Sequence, residues 1–70
     1  MIESFKIGNY VWAVPKYNYD KCQPVIGIII SIFEESKELY VYYKNSYFIA
    51  NPLITKKATD EEVMLWKLEQ

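Results

Sequence analysis

Aromatic side chains are the residues of this sequence best suited to contact a partner. Tyrosine and tryptophan combine a large, rigid ring with a polar tip, which makes them effective anchors in interfaces. The chain has seven tyrosines and two tryptophans in 70 residues. Those at alternating strand positions or in the first long loop include Trp12, Tyr17, Tyr19, Tyr40 and Tyr42. A core filled by aliphatic residues has no room for all of them, so we expect an exposed patch that binds another protein.

Two further interpretations of these rings stay open. In the first, the rings cover the outer side of a sheet or pack beneath a terminal helix together with Trp66. In the second, the patch joins two copies of the chain, because a self-complementary contact needs only one surface. We expect this patch to be centred on Trp12, Tyr17, Tyr19 and Tyr42. The solvent exposure of these four side chains distinguishes burial in the core from an exposed patch.

Lysines interleaved with the tyrosines suggest an alternative function, the binding of nucleic acid. Lysine neutralises phosphates, and tyrosine stacks on bases in small barrels that bind single strands. The candidate contacts are Lys16, Lys21, Lys44, Lys56 and Lys57. The chain has no arginine, the residue that contacts phosphate and guanine bidentately, and its isoelectric point is about 5.3. We therefore place protein binding ahead of nucleic-acid binding.

Groups suited to catalysis or metal binding are scarce. Cys22 is the single cysteine, and the chain has no histidine to activate its thiol or to ligate a metal. Glu34, Glu35 and Glu38 fall at a predicted turn, where carboxylates are solvated and not paired for acid–base chemistry. We expect a protein that is not an enzyme and that has neither a cofactor nor a metal site.

The apolar run at residues 24–33 must position these side chains. Five of its residues are isoleucines, whose branched Cβ favours a strand. With a period of two, one face of this strand carries Ile26, Ile28, Ile30 and Ile32. We expect this face to form the core, with Ile28 and Ile30 almost fully buried. Gly27 marks a bend or a close backbone approach.

Turn signals divide the rest of the chain into short elements. Strands are predicted at residues 10–14, 25–33, 38–43, 47–50 and 53–57. Asn45 suits the left-handed position of a hairpin turn between the third and fourth strands. Thr59 and Glu62 have the spacing of a capping box, which predicts a helix at residues 60–69. Such a helix is marginal alone, so Trp66 is expected to dock on the sheet.

These elements predict a mainly β fold, a small SH3-like five-stranded antiparallel barrel with a short C-terminal α-helix. The barrel is expected at about residues 5–57 and the helix at about residues 59–69, in a single domain at residues 1–70. A meander of five strands in so short a chain covers its edges by curling on itself.

The segment Gly8-Asn9-Tyr10-Val11-Trp12-Ala13-Val14 resembles the opening of the Tudor and PWWP-type members of the SH3-like barrels. In that group a Gly-x-x-Val-Trp-Ala segment forms the first strand, and the similarity covers roughly residues 5–55. The resemblance implies an aromatic cage for methylated lysine or arginine, with Trp12, Tyr19 and Tyr42 at positions that suit it. Where the family's turn usually carries Asp-Tyr-Gly, this chain has Asn45-Ser46-Tyr47, so the acidic cage residue is missing.

The sequence also bears on location. The apolar run is about half as long as a membrane span, and the first residues lack the layout of a signal peptide. We expect a cytoplasmic protein with a reduced thiol and no membrane association. The size and the Ile-, Lys- and Tyr-rich, arginine-free composition resemble accessory proteins of AT-rich phages or mobile elements.

Overall fold

One antiparallel sheet and one helix form the fold. A computed structural model describes residues 4–17 and 23–69. The elements are β1 (Tyr10–Ala13), β2 (Val25–Phe33), β3 (Glu38–Tyr43), β4 (Ser46–Ala50), β5 (Lys56–Lys57) and α1 (Asp60–Leu68). The strands lie in the spatial order β4-β3-β2-β1-β5. The chain is therefore mainly β with a C-terminal helix, as the sequence predicts.

The sheet is not closed. The segment after β1 reaches the end of β4, where an isolated antiparallel bridge joins Pro15 and Ala50. The backbone N–H of Lys16 also donates to the Ile49 carbonyl at 2.7 Å. At the opposite edge, β5 pairs with β1 through Lys56 and Lys57 alone. The five strands form one sheet whose edge strands are β4, with five residues, and β5, with two.

The predicted fifth strand is mostly a turn, and the other four strands match their predicted bounds to within one residue. The Leu53 N–H donates to the Asn51 side-chain oxygen at 2.9 Å, and the Ile54 N–H donates to the Asn51 carbonyl at 3.2 Å. The Thr55 hydroxyl donates to the same carbonyl at 2.7 Å. Local bonds to Asn51 thus compete successfully with pairing in the sheet, and only Lys56 and Lys57 remain as a strand.

The inner face of the sheet carries the hydrophobic core. Alternation along β1 and β3 places Val11, Ala13, Leu39 and Val41 on this face. The buried cluster consists of Phe5, Val11, Ala13, Ile29, Leu39, Val41 and Ala50. Ile32 and Phe48 pack against it and are partly buried. The core is therefore aliphatic apart from two phenylalanines, and the tyrosines and tryptophans lie elsewhere.

The prediction for β2 is wrong about Ile28 and Ile30, although Ile26 on the same predicted face is buried. Ile29 is completely buried, whereas Ile28 is half-buried and Ile30 is 41% exposed. The pairing of β2 with β3 shifts between Ile29 and Ser31, which is the pattern of a β-bulge. A bulge inserts one extra residue into one strand, so Ile32 returns to the core although it lies three residues after Ile29. Strict alternation from Ile26 to Ile32 therefore fails.

Gly27 confirms the expected close approach between strands. A Cβ at this position would meet Val41 Cγ1 and would lie 2.7 Å from the carbonyl oxygen of Tyr42. The second of these atoms belongs to the backbone and cannot move aside cheaply. A side chain at position 27 would therefore force β2 and β3 apart.

The turn between β3 and β4 is a tight hairpin. Lys44 and Asn45 both have positive φ angles, of 49° and 63°. Tyr43 pairs with Ser46 across these two residues. This arrangement matches the right-handed twist of the two strands, and Asn45 takes the left-handed conformation that the sequence predicts.

Helix α1 lies against β1 and β2 on the outer face of the sheet. The predicted capping box is present: the Glu62 N–H donates to Thr59 Oγ1 at 3.1 Å, and the Thr59 N–H donates to Glu62 Oε1 at 2.8 Å. The Trp66 ring packs edge-on against Tyr10, with 5.8 Å between ring centroids. The Lys67 ammonium lies 5.2 Å from the centroid of the Tyr10 ring. The expected docking of Trp66 on the sheet is confirmed.

Candidate functional site: an open aromatic face and a helix cleft

The outer face of the sheet collects the aromatic side chains. Residues that pair directly across antiparallel strands point to the same face. Tyr10 pairs with Ile28, Ile28 with Tyr42, and Tyr42 with Tyr47, so these four residues form a row across β1, β2, β3 and β4. The strand registers thus assemble, from distant parts of the sequence, a surface that no single segment contains.

The part of this surface over β2, β3 and β4 is uncovered, and we call it the open aromatic face. It consists of Ile30, Phe33, Tyr40, Tyr42 and Tyr47. Tyr40 is its centre, with ring centroids 4.9 Å from Phe33 and 5.6 Å from Tyr47. The Tyr40 and Tyr47 rings are nearly parallel, with 15° between their planes. Phe33, Tyr42 and Tyr47 are 47%, 42% and 59% exposed.

The predicted partner-binding residues divide among different places. Tyr40 and Tyr42 belong to the open aromatic face, and the Tyr42 hydroxyl donates to Asn45 Oδ1 at 3.1 Å. Trp12 is half-buried on the side of the sheet that α1 covers, and Tyr17 is 74% exposed after β1. Tyr19 lies outside the described residues. Trp12 and Tyr17 have no ring contact with Tyr42 in the part of the chain that the structure describes.

Sequence reasoning missed Phe33, Tyr47 and Ile30 as members of the open aromatic face. A signal existed for Tyr47: a two-residue turn at Lys44 and Asn45 places Tyr47 opposite Tyr42. Phe33 changes face because of the bulge, which the isoleucine pattern does not reveal. Ile30 lies on the same side as Ile28, as alternation predicts, but this side is the outer face and not the core.

The predicted nucleic-acid contacts are also dispersed. Lys16 forms an ion pair with Glu38 at 2.9 Å; this hydrogen bond raises the pKa of Lys16 and lowers the pKa of Glu38. The Lys44 ammonium lies 5.4 Å from the Tyr43 ring centroid at the hairpin turn. Lys56 and Lys57 form β5 at the far edge of the sheet, and Lys21 lies outside the described residues.

A second feature of the outer face is an open cleft of about 340 Å³ between α1 and the sheet, which we call the helix cleft. Three aromatic residues and two glutamates are among the residues that line it. The residues that matter for its chemistry are Trp12, Tyr43, Glu62, Leu65, Trp66 and Glu69. An apolar cleft with a few polar groups is the usual form of a small binding site.

The polar groups of the helix cleft differ in whether they form hydrogen bonds. The Trp12 Nε1 atom is buried and has no partner within hydrogen-bond geometry among the described residues. The pKa of Glu62 is lowered, chiefly by the hydrogen bond from the Thr59 backbone and next by the nearby Trp12 indole. The indole N–H is therefore close enough to favour the Glu62 carboxylate, but their geometry is not that of a formed hydrogen bond.

The described residues hold no cluster of three or more Cys, Asp or Glu side chains that would bind a metal ion. Within the same residues, α1 is far too short and polar to cross a membrane. Comparisons of the chain with protein-family models, with curated proteins and with solved structures find no significant match. The site must therefore be interpreted from its own geometry.

Proposed function

We propose that this chain is a small, non-enzymatic binding module or inhibitor that recognises a protein partner through the open aromatic face. The observation that supports this proposal is the contact series Phe33–Tyr40–Tyr47, beside the exposed Tyr42. Rings that are held by their neighbours lose little entropy on binding, and a contiguous apolar surface is stabilised when a partner removes it from water.

The proposed fold is an SH3-like barrel of the Tudor-like type. The bridge between Pro15 and Ala50 supports this proposal, because it brings the segment after β1 to the end of β4. The proposed setting is a cytoplasmic accessory protein of a phage or mobile element. Fold analogy does not identify the partner, so the binding proposal rests on the surface itself.

The test compares what different variants capture. We would immobilise the wild type, a Tyr42→Ser/Tyr47→Ser double variant and a Tyr17→Ser control, and expose each to a lysate of the source cells at high salt. We expect the wild type and the control to retain the same protein and the double variant to lose it. Retention by the double variant with unchanged affinity would overturn the proposal, provided that circular dichroism shows an intact fold.

Two further measurements test whether the partner is a second copy of the chain or a nucleic acid. Light scattering of the purified wild type and of the double variant shows whether the open aromatic face joins two copies. Binding to a short oligo-dT strand tests the nucleic-acid alternative, because affinity from lysine–phosphate contacts falls steeply as salt rises. Salt-sensitive binding that survives the loss of Tyr42 and Tyr47 would favour that alternative over the proposal.

A further inference from the structure

The helix cleft has the composition of a site for a cationic side chain. Three aromatic residues line it: Trp12 on β1, Trp66 on α1 and, at the end of β3, Tyr43. The face of an aromatic ring attracts a cation, and tryptophan does so most strongly. Leu65 and Ile26 complete an apolar wall suited to the methylene groups of a long side chain.

Charge in the helix cleft is complementary to a cation. Glu62 and Glu69 flank Trp66 along α1, at positions i, i+4 and i+7. At 1.5 Å per residue, the two glutamates are about 10 Å apart along the helix axis, so a cation over Trp66 would lie between them. The described residues that line this cleft include no lysine. Lys56 lies outside this lining, although its charge is a minor cause of the lowered pKa of Glu62, after the hydrogen bond from the Thr59 backbone. A ligand cation would therefore meet two carboxylates within the cleft itself.

We propose that the helix cleft binds an arginine side chain of a partner peptide. The guanidinium is planar, stacks on aromatic rings and is less strongly hydrated than the lysine ammonium, so it suits a cleft of rings and carboxylates. This chain contains no arginine, so the ligand comes from a different protein and not from a second copy. The proposal concerns a different surface from the open aromatic face and does not depend on it.

The chain carries its own reporters for this site, because its two tryptophans, Trp12 and Trp66, both line the helix cleft. We would titrate N-acetyl-arginine methylamide into the full chain and follow the two indole N–H signals by NMR. The neutral control is the citrulline analogue, which has the same shape, at matched ionic strength. We expect saturable shifts of the indole signals with the arginine compound, and at least about tenfold weaker binding of the citrulline compound.

Matched variants locate the site. Glu69→Gln should weaken arginine binding by roughly three- to tenfold, since it removes a charge from the cleft. Glu61→Gln removes the same charge from the same helix, but Glu61 does not line the cleft, so binding should be unchanged. Tyr47→Ser on the open aromatic face should also have no effect.

Three outcomes would overturn the proposal. These are the absence of a saturable shift of either indole signal with the arginine compound, equal binding of the arginine and citrulline compounds, and weakening of binding by Glu61→Gln as large as that by Glu69→Gln. Equal binding of the lysine analogue would overturn the choice of the guanidinium. None of these results concerns the partner of the open aromatic face, so the two proposals fail independently.

Discussion

The two halves of the outer face are built from similar side chains, yet only one half is covered. Tyr10, Trp12 and Ile26 lie beneath α1, whereas the open aromatic face over β3 and β4 meets solvent. Chain connectivity accounts for the difference. The Ala58 N–H donates to the Tyr10 carbonyl at 3.0 Å, and α1 begins two residues later.

The direction of α1 sets the limit of coverage. Glu62 in its first turn lies beside Trp12, and Trp66 and Lys67 in its last turn lie against Tyr10. Trp12 and Tyr10 both belong to β1, so α1 follows β1 from its first turn to its last and leaves most of β3 and β4 uncovered. Apolar composition alone does not determine whether a surface is buried; the point of attachment of the covering element also matters.

The largest expected effect tests the pairing of β2 with β3, on which both halves of the outer face depend. Ile29→Ala should lower the free energy of unfolding by about 2–5 kcal/mol, because it empties a completely buried site. Ile30→Ala, one residue away on the more exposed side of the bulge, should lower it by less than about 1.5 kcal/mol, because only part of that side chain is buried. Urea denaturation of both variants measures the difference. Similar losses would show that the bulge lies elsewhere.

The second prediction compares the halves directly. Trp66→Ala should lower the free energy of unfolding by about 1–3 kcal/mol, because its ring is partly buried against Tyr10. Tyr47→Ala removes a ring of similar kind from the open aromatic face and should cost less than about 1 kcal/mol. Thermal and urea unfolding of the two variants under one set of conditions gives the comparison. A larger loss for Tyr47→Ala would contradict the distinction between covered and open halves.

The third prediction concerns a variant that destabilises α1 without changing a residue of the sheet. Thr59→Ala removes the hydroxyl that accepts from the Glu62 N–H, and should cost about 1 kcal/mol. Thr59→Ser keeps that hydroxyl and is the control. Hydrogen exchange of the α1 amides should accelerate in the alanine variant, while the amides of β3 change less. Equal acceleration throughout would mean that α1 and the sheet unfold as one unit.

The smallest effect concerns pH. The pKa of Glu62 lies below its ordinary value of 4.5, chiefly because its carboxylate accepts from the Thr59 backbone N–H. A lowered folded-state pKa contributes stability that is present above the unfolded-state value and is lost as pH falls through the folded-state value. Glu62→Gln keeps a capping acceptor but does not titrate. The stability difference between wild type and variant, measured by melting at several pH values, should therefore shrink on acidification below 4.5. A difference independent of pH would contradict the lowered pKa.

Most of the fold follows from local rules that the sequence displays. The alternation of Val11 with Ala13 and of Leu39 with Val41 predicts the inner face, and Thr59 with Glu62 predicts the start of α1. The failures have specific causes. The bulge near Ile30 depends on how β2 pairs with β3, and the loss of strand structure at Leu53 depends on side-chain bonds to Asn51.

The candidate surfaces are harder to predict because they combine residues from several strands. Tyr40 and Tyr42 alternate on one strand, so their shared face is visible in the sequence. The contacts of Tyr40 with Phe33 and Tyr47 depend on two separate registers. The helix cleft depends in addition on where α1 docks, which explains why Glu62 and Glu69 were not recognised as its acidic groups.

Gly27 has a consequence for how the chain finds its register. Three consecutive isoleucines, at positions 28 to 30, would each satisfy the core if β2 slipped by one residue, so burial alone discriminates poorly among alignments. A residue without a Cβ must face Val41 and the Tyr42 carbonyl, and only one residue of β2 meets that condition. A folding chain therefore rejects slipped pairings by steric exclusion at a single glycine, and the hydrophobic run supplies attraction that is indifferent to the exact alignment.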